Sequence, residues 1–107
     1  LNAIPEVPMA YKLYQNYPNP FNPTTTIQFD LPEQAFVTLK VYNLLGQEVA
    51  TLVNHEQYTD GTQTVRFNAR NLASGVYFYQ IIAQGINDDG TMNTNTFQTV
   101  QKMMLLK

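Results

Sequence analysis

Histidine and serine each occur once in the 107-residue sequence, His55 in "VNHEQYTDG" and Ser74 in "NLASG". A serine nucleophile needs a base within hydrogen-bond reach, and the base needs an acid to orient it. His55 has Glu56 beside it, but it reads as an exposed loop histidine. Ser74 reads as a turn residue ahead of Gly75. The carboxylates that might cooperate in glycoside hydrolysis are Asp30, Glu33, Glu48, Glu56 and Asp60, all near expected turns, and no spacing brings two of them together. "NDDG" at 87–90 resembles a hairpin tip more than a calcium loop, because the spaced ligands and bidentate Glu of an EF-hand are missing. Cysteine is absent, which excludes disulfides and thiolate metal sites. The expectation is a domain without a catalytic centre, cofactor or metal.

Two binding chemistries are also disfavoured. Net charge is −2, and the six Lys and Arg residues are scattered. Nucleic-acid binding needs a basic stripe to displace phosphate counterions, and there is none. A basic amphipathic helix for a membrane surface is lacking too. No run approaches the ~18 apolar residues of a membrane span, so no membrane insertion is expected. Aromatic side chains remain: seven Tyr and six Phe, without Trp. Exposed rings on a sheet stack on sugars, which makes a carbohydrate-binding or structural accessory module the alternative function. Tyrosines straddling core and surface are the simpler reading. The chain opens on Leu1 with no signal peptide, and reads as a piece of a longer exported protein whose signal lies upstream.

The elements that would position any site are strands. At this length the chain is expected to form a single domain. All six prolines fall between Pro5 and Pro32. Residues 1–10 show neither helical nor strand period and read as a semi-rigid linker, leaving 11–107 as the domain. "QNYPNPFNP" then sets Pro18, Pro20 and Pro23 within six positions. Proline cannot donate to a central ladder, so this segment is an edge or a wrap, with Tyr17 and Phe21 expected on apolar surface.

Alternation begins immediately afterwards at Thr25–Leu31 and continues in Phe36–Tyr42, with Val37, Leu39 and Val41 on one side. Strands are also expected over Glu48–Val53, Thr62–Asn68, Val76–Ala83 and Asn95–Leu106, with a short first strand near Tyr11–Tyr14. The turns are "NLLGQ", Asp60-Gly61, "NLASG" and "NDDG". A helix through "EQAFVTLKVYNLLGQEVATLV" is opposed by its β-branched residues and by Gly46, which costs about 1 kcal/mol against Ala. About seven strands with turns every 8–12 residues is the pattern of an all-β, immunoglobulin-like antiparallel β-sandwich. Val76–Ala83 is apolar on both parities, so it is either a central strand covered on both faces or one whose Tyr77 and Tyr79 line an exposed aromatic surface.

Four blocks in order carry a resemblance: "LYQNYPNPFNPTTTIQFDLP" (13–32), "VTLKVYNLLGQEVATLV" (37–53), "GTQTVRFNARNLASGVYFYQIIA" (61–83) and "QKMMLLK" (101–107). Together they resemble the C-terminal sorting domain of type IX secretion cargo, a family related to immunoglobulin-like modules of flagellar hook-capping proteins. The resemblance implies an address label recognised by outer-membrane secretion machinery. It also implies a Gram-negative cell-surface or secreted destination reached through the periplasm. A sortase-like peptidase would cut in the linker before Tyr11 and join the cargo to surface lipopolysaccharide. Recognition would fall to Gly75, Val76 and Tyr77 and to Lys102, Met103, Leu105, Leu106 and Lys107. The insert "QGINDDGTMNTN" (84–95) implies a longer final hairpin than the family's usual one. Oligomeric state stays open, although an exposed terminal strand could pair with a copy of itself in a crystal.

Overall fold

The structure is a computed structural model that describes residues 7–107. Its strands are β1 (Lys12–Leu13), β2 (Thr24–Leu31), β3 (Ala35–Asn43), β4 (Glu48–Tyr58), β5 (Gly61–Asn68), β6 (Gly75–Ile86) and β7 (Met92–Leu105). They form two sheets, three-stranded β1-β2-β5 and four-stranded β4-β3-β6-β7, with every ladder antiparallel. This is the expected all-β sandwich of seven strands.

Period-two patterning builds the interior. Ile27, Phe29 and Leu31 of β2 face Val37, Leu39 and Val41 of β3 and Ile81 of β6 across the sandwich, all buried. Each such side chain contributes about 1.5–3 kcal/mol of transfer free energy, so the alternating segments alone define which face turns inward. The β3–β4 segment is strand, gap, strand: Gly46, at φ 82°, closes the turn with its N–H on Asn43 O. Only Gly and a few small polar residues adopt that backbone region readily.

One open alternative is decided and three expectations are corrected. Tyr77 and Tyr79 do not line an outer surface; both point inward and Tyr79 is fully buried. A buried tyrosine needs a partner for its hydroxyl, and each has one: Tyr77 Oη donates to Ala73 O at 2.6 Å and Tyr79 Oη to Tyr14 O at 2.6 Å. The exposed aromatic platform is therefore absent from these two positions.

His55 is not in a loop. β4 continues past Val53 to Tyr58, with register shifts against β3 that mark bulges, and His55 sits at φ 50° with its ring stacked 4.6 Å from Phe36. The last strand starts at Met92 rather than Asn95, because Asn93 and Asn95 donate their side-chain amides to Glu33 and hold this stretch against the sheet. Tyr17, at 80% exposure, projects into solvent, whereas Phe21 is buried as anticipated.

The proline segment is a wrap, and it joins the sheets. Tyr17 bridges Thr26 of β2, and Phe21 bridges Leu105 of β7. The peptide bonds before Pro18, Pro20 and Pro23 are cis. Of the linker, residues 7–10 carry no strand and the first six positions lie outside the described residues.

Candidate recognition site

The β6–β7 hairpin ladder brings the sequence-predicted recognition residues together. Gly75 pairs with Leu105, Val76 with Met104, Tyr77 with Met103 and Phe78 with Lys102. Segments some 30 positions apart in sequence thus share one corner of the four-stranded sheet. Gly75 has φ 157°, close to extended backbone, and open space where a Cβ would stand.

Burial divides the set in two. Tyr77, Met103 and Leu105 turn inward, with Met103 at 1% and Leu105 at 0% exposure. Lys102, Leu106 and Lys107 face solvent, and Gly75 and Val76 are half-buried. Side chains of the first kind hold the corner; only the second kind can meet a partner.

The wrap completes the corner with residues that the sequence did not mark for recognition. Phe21, 2% exposed, packs 6.2 Å from Phe67 and presents its backbone to the closing segment. Its N–H donates to Met104 O at 2.9 Å, and its C=O accepts from Leu106 N at 3.0 Å. Asn19 Oδ1 accepts from Met104 N at 2.9 Å, and Gln15 Nε2 donates to Lys102 O at 2.7 Å. On the other side the 69–74 turn holds the last residue. Ser74 Oγ accepts from Lys107 N at 2.9 Å, and Lys107 Nζ donates to Arg70 O at 2.6 Å. The sequence signal nearest to these partners is Asn19-Pro20, an Asn-Pro pair of the kind that starts turns.

Between wrap and hairpin lies a groove of about 190 Å³ lined by Asn19, Pro20, Val76, Lys102, Met103 and Met104. Its lining is mainly apolar and includes one cationic residue, Lys102. Such a groove takes an apolar side chain or a short extended segment and supplies one charge to orient it.

Behind the groove the wrap is pinned by a buried polar network. Asn16 N donates to Tyr79 Oη at 2.8 Å, and Asn16 Nδ2 donates to Thr25 Oγ1 at 2.9 Å. Burial pushes the Tyr79 phenol up to about 12, although the Asn16 N–H works in the opposite sense. No buried side-chain polar atom is left unpartnered among the described residues.

The residues singled out for catalysis or metal binding are not assembled. Ser74 is engaged by Lys107, while His55 stacks on Phe36. Asp89 closes its own turn, accepting from Thr91 N at 2.9 Å and Thr91 Oγ1 at 2.6 Å, bonds that lower its pKa. Among the described residues no three His, Asp or Glu side chains form a metal-binding group. A larger cleft of about 520 Å³ opens at the other end of the hairpin, lined by Glu33, Gln34, Thr59, Asp60, Asn87 and Asp88, and its Glu33 is engaged by Tyr11, Asn93 and Asn95.

The model of one protein family, the secretion system C-terminal sorting domain, matches residues 15–104. The chain belongs to that family. No curated protein matches it. The matched span takes in the wrap, strands β2 to β6 and β7 up to Met104, and leaves out β1. The sorting domain is thus a signal for type IX secretion, engages that machinery, and marks a secreted or cell-surface protein. Its family is a sorting-signal family rather than a catalytic one, and the carbohydrate-binding alternative is not favoured.

Proposed function

We propose that the sorting signal is read at the corner where the wrap, the start of β6 and the end of β7 meet. The recognition set is Gly75, Val76, Tyr77, Lys102, Met103, Leu105, Leu106 and Lys107, divided by role. Val76, Lys102, Leu106 and Lys107 contact the outer-membrane machinery. Gly75, Tyr77, Met103 and Leu105 hold them in place from within. The observation that carries this reading is the apolar groove beside Lys102, formed by two segments that are distant in sequence. An extended segment of the machinery docking there would gain apolar burial from Val76 and Met104 and a charge contact from Lys102.

The domain, residues 11–107, follows a linker over 1–10 in which a sortase-like peptidase cuts before Tyr11. The cargo reaches the outer membrane from the periplasm and is then joined to lipopolysaccharide. Residues 7–10 carry no strand and are exposed apart from a half-buried Pro8, which leaves that stretch accessible to a peptidase.

The test is a reporter with its own export signal fused ahead of residues 11–107, in a Gram-negative bacterium that has the system. The intact fusion should reach the surface. Lys102→Ala combined with Leu106→Ala should strand it in the periplasm, with a circular dichroism spectrum unchanged from the parent. Surface delivery by a folded double variant would remove the corner from consideration. Periplasmic retention of the intact, folded fusion would remove the whole reading.

A further inference from the structure

β7 is an outer strand of the four-stranded sheet, and its free edge is covered along only part of its length. Near its end the wrap bonds Lys102 O, Met104 N and Met104 O. Those bonds identify the even-numbered residues as the ones whose backbone groups point away from β6. Pairing with β6 runs without a shift from Thr96 to Leu105, so the same parity puts the N–H and C=O of Thr96, Gln98 and Val100 on the free edge. Among the described residues nothing bonds these groups.

Exposed edges are ordinarily spoiled by Lys, Pro or a bulge that prevents pairing with another strand. Met92–Gln101 contains no charged residue, no Pro and no Gly. From Thr96 onward it carries no bulge.

We propose that β7 pairs antiparallel with β7 of a second copy across a two-fold axis at Gln98, fusing two four-stranded sheets into one continuous sheet. In that register Gln98 faces its own counterpart, and Thr96 faces Val100 of the other copy. Each of these pairs exchanges both N–H···O=C bonds, because all are edge-pointing residues. A shift by one residue would oppose edge-pointing groups to groups already bonded to β6. Lys102, the first charge, would face Thr94, so no like charges are opposed. It also lies where the wrap already closes the edge, which limits pairing to the open stretch. Val100, half exposed, gains a β-branched neighbour in Thr96 on the outer face. The contact is isologous and closes on itself, leaving no free β7 edge.

This inference goes beyond the recognition reading and does not depend on it. Sedimentation equilibrium of the whole chain, from micromolar to millimolar concentration, should rise to twice the chain mass of 12.2 kDa. Gln98→Lys sets two ammonium groups face to face at the axis and should restore the single-chain mass with an unchanged circular dichroism spectrum. Thr64→Lys, on the β5 edge, should leave the doubled mass in place.

Because the chain has no cysteine, Gln98→Cys under mild oxidation should give one cross-linked species of two chains, and Thr64→Cys should give none. A single-chain mass over the whole range would overturn the proposal. So would doubling that survives Gln98→Lys, or equal cross-linking from Thr64→Cys. Should Gln98→Lys fail to fold, the cross-linking pattern decides.

Discussion

The two ends of the β6–β7 hairpin satisfy their polar groups in different ways. At the Gly75–Leu105 end, the wrap and the 69–74 turn bond mainly to the backbone of the closing segment, around an apolar groove. At the Ile86–Met92 end, side chain meets side chain. Glu33 accepts from Tyr11 Oη and Asn93 Nδ2, each at 2.6 Å, and from Asn95 Nδ2 at 3.0 Å. Tyr11 itself stacks on Phe97 with ring centroids 5.5 Å apart.

The larger cleft lies at the second end, and size alone would have pointed there. Its carboxylates do not converge into a metal-binding group, and Glu33 is committed to structure. The corner proposed for recognition instead sets apolar area beside an uncommitted charge. Backbone bonding leaves the side chains of Lys102 and Leu106 free for a partner, whereas the opposite end spends its side chains on itself.

That contrast can be broken most forcefully at Phe21. Phe21→Ala empties a buried ring site that joins the wrap to both sheets, and should cost about 3–5 kcal/mol by urea denaturation. Export of the reporter fusion should fall with it. A loss below about 1 kcal/mol would mean that the wrap is a loose cover rather than part of the core.

A smaller effect is expected from Tyr79→Phe, which leaves Asn16 N without its acceptor and should cost about 1–3 kcal/mol. It also carries a pH signature. The folded phenol titrates at about 12 against an ordinary 10.0, so its contribution is complete below pH 10 and disappears as the pH rises toward 12. Melting temperatures measured across that interval should fall more steeply for the parent than for Tyr79→Phe. Parallel curves would show that another group governs alkaline unfolding.

Glu33→Gln probes the other end and should have the smallest effect. The Tyr11 hydroxyl, followed by the Asn95 and Asn93 amides, holds the Glu33 carboxyl below its ordinary 4.5, against a desolvation effect of opposite sign. A depressed carboxyl stabilises the fold above its ordinary range and loses that contribution as the pH falls through the folded value. Acid melting curves below pH 4.5 should therefore flatten in the variant, with a shift at neutral pH smaller than that of Tyr79→Phe. A larger loss than at Tyr79 would reverse the ranking of the two ends.

Much of the sandwich was legible in the sequence because it rests on local rules. Alternation in Phe36–Tyr42 gave β3 its inward face, and Asp60-Gly61 and "NDDG" gave their hairpins. His55 was not legible, since a polar run on a bulged edge strand looks the same as a loop until its partner strand is known. Nor was the orientation of Tyr77 and Tyr79. With both parities apolar, the phase of β6 depends on which hydroxyls find acceptors, and the acceptor for Tyr79 is Tyr14, 65 positions away. For the same reason the corner was half visible. The family motifs named Gly75–Tyr77 and the closing residues, but Phe21 and Asn19 act on residues about 85 positions later, where no sequence period reaches.

The double attachment of the wrap has a mechanical consequence. Tension arriving from the N-terminal side of Tyr11 meets the β1–β2 ladder first, then Tyr17 on the same sheet and Phe21 on the other. A pull on whatever precedes the domain is therefore shared between both layers, and the label resists being unravelled from its leading end while the load it carries is hauled.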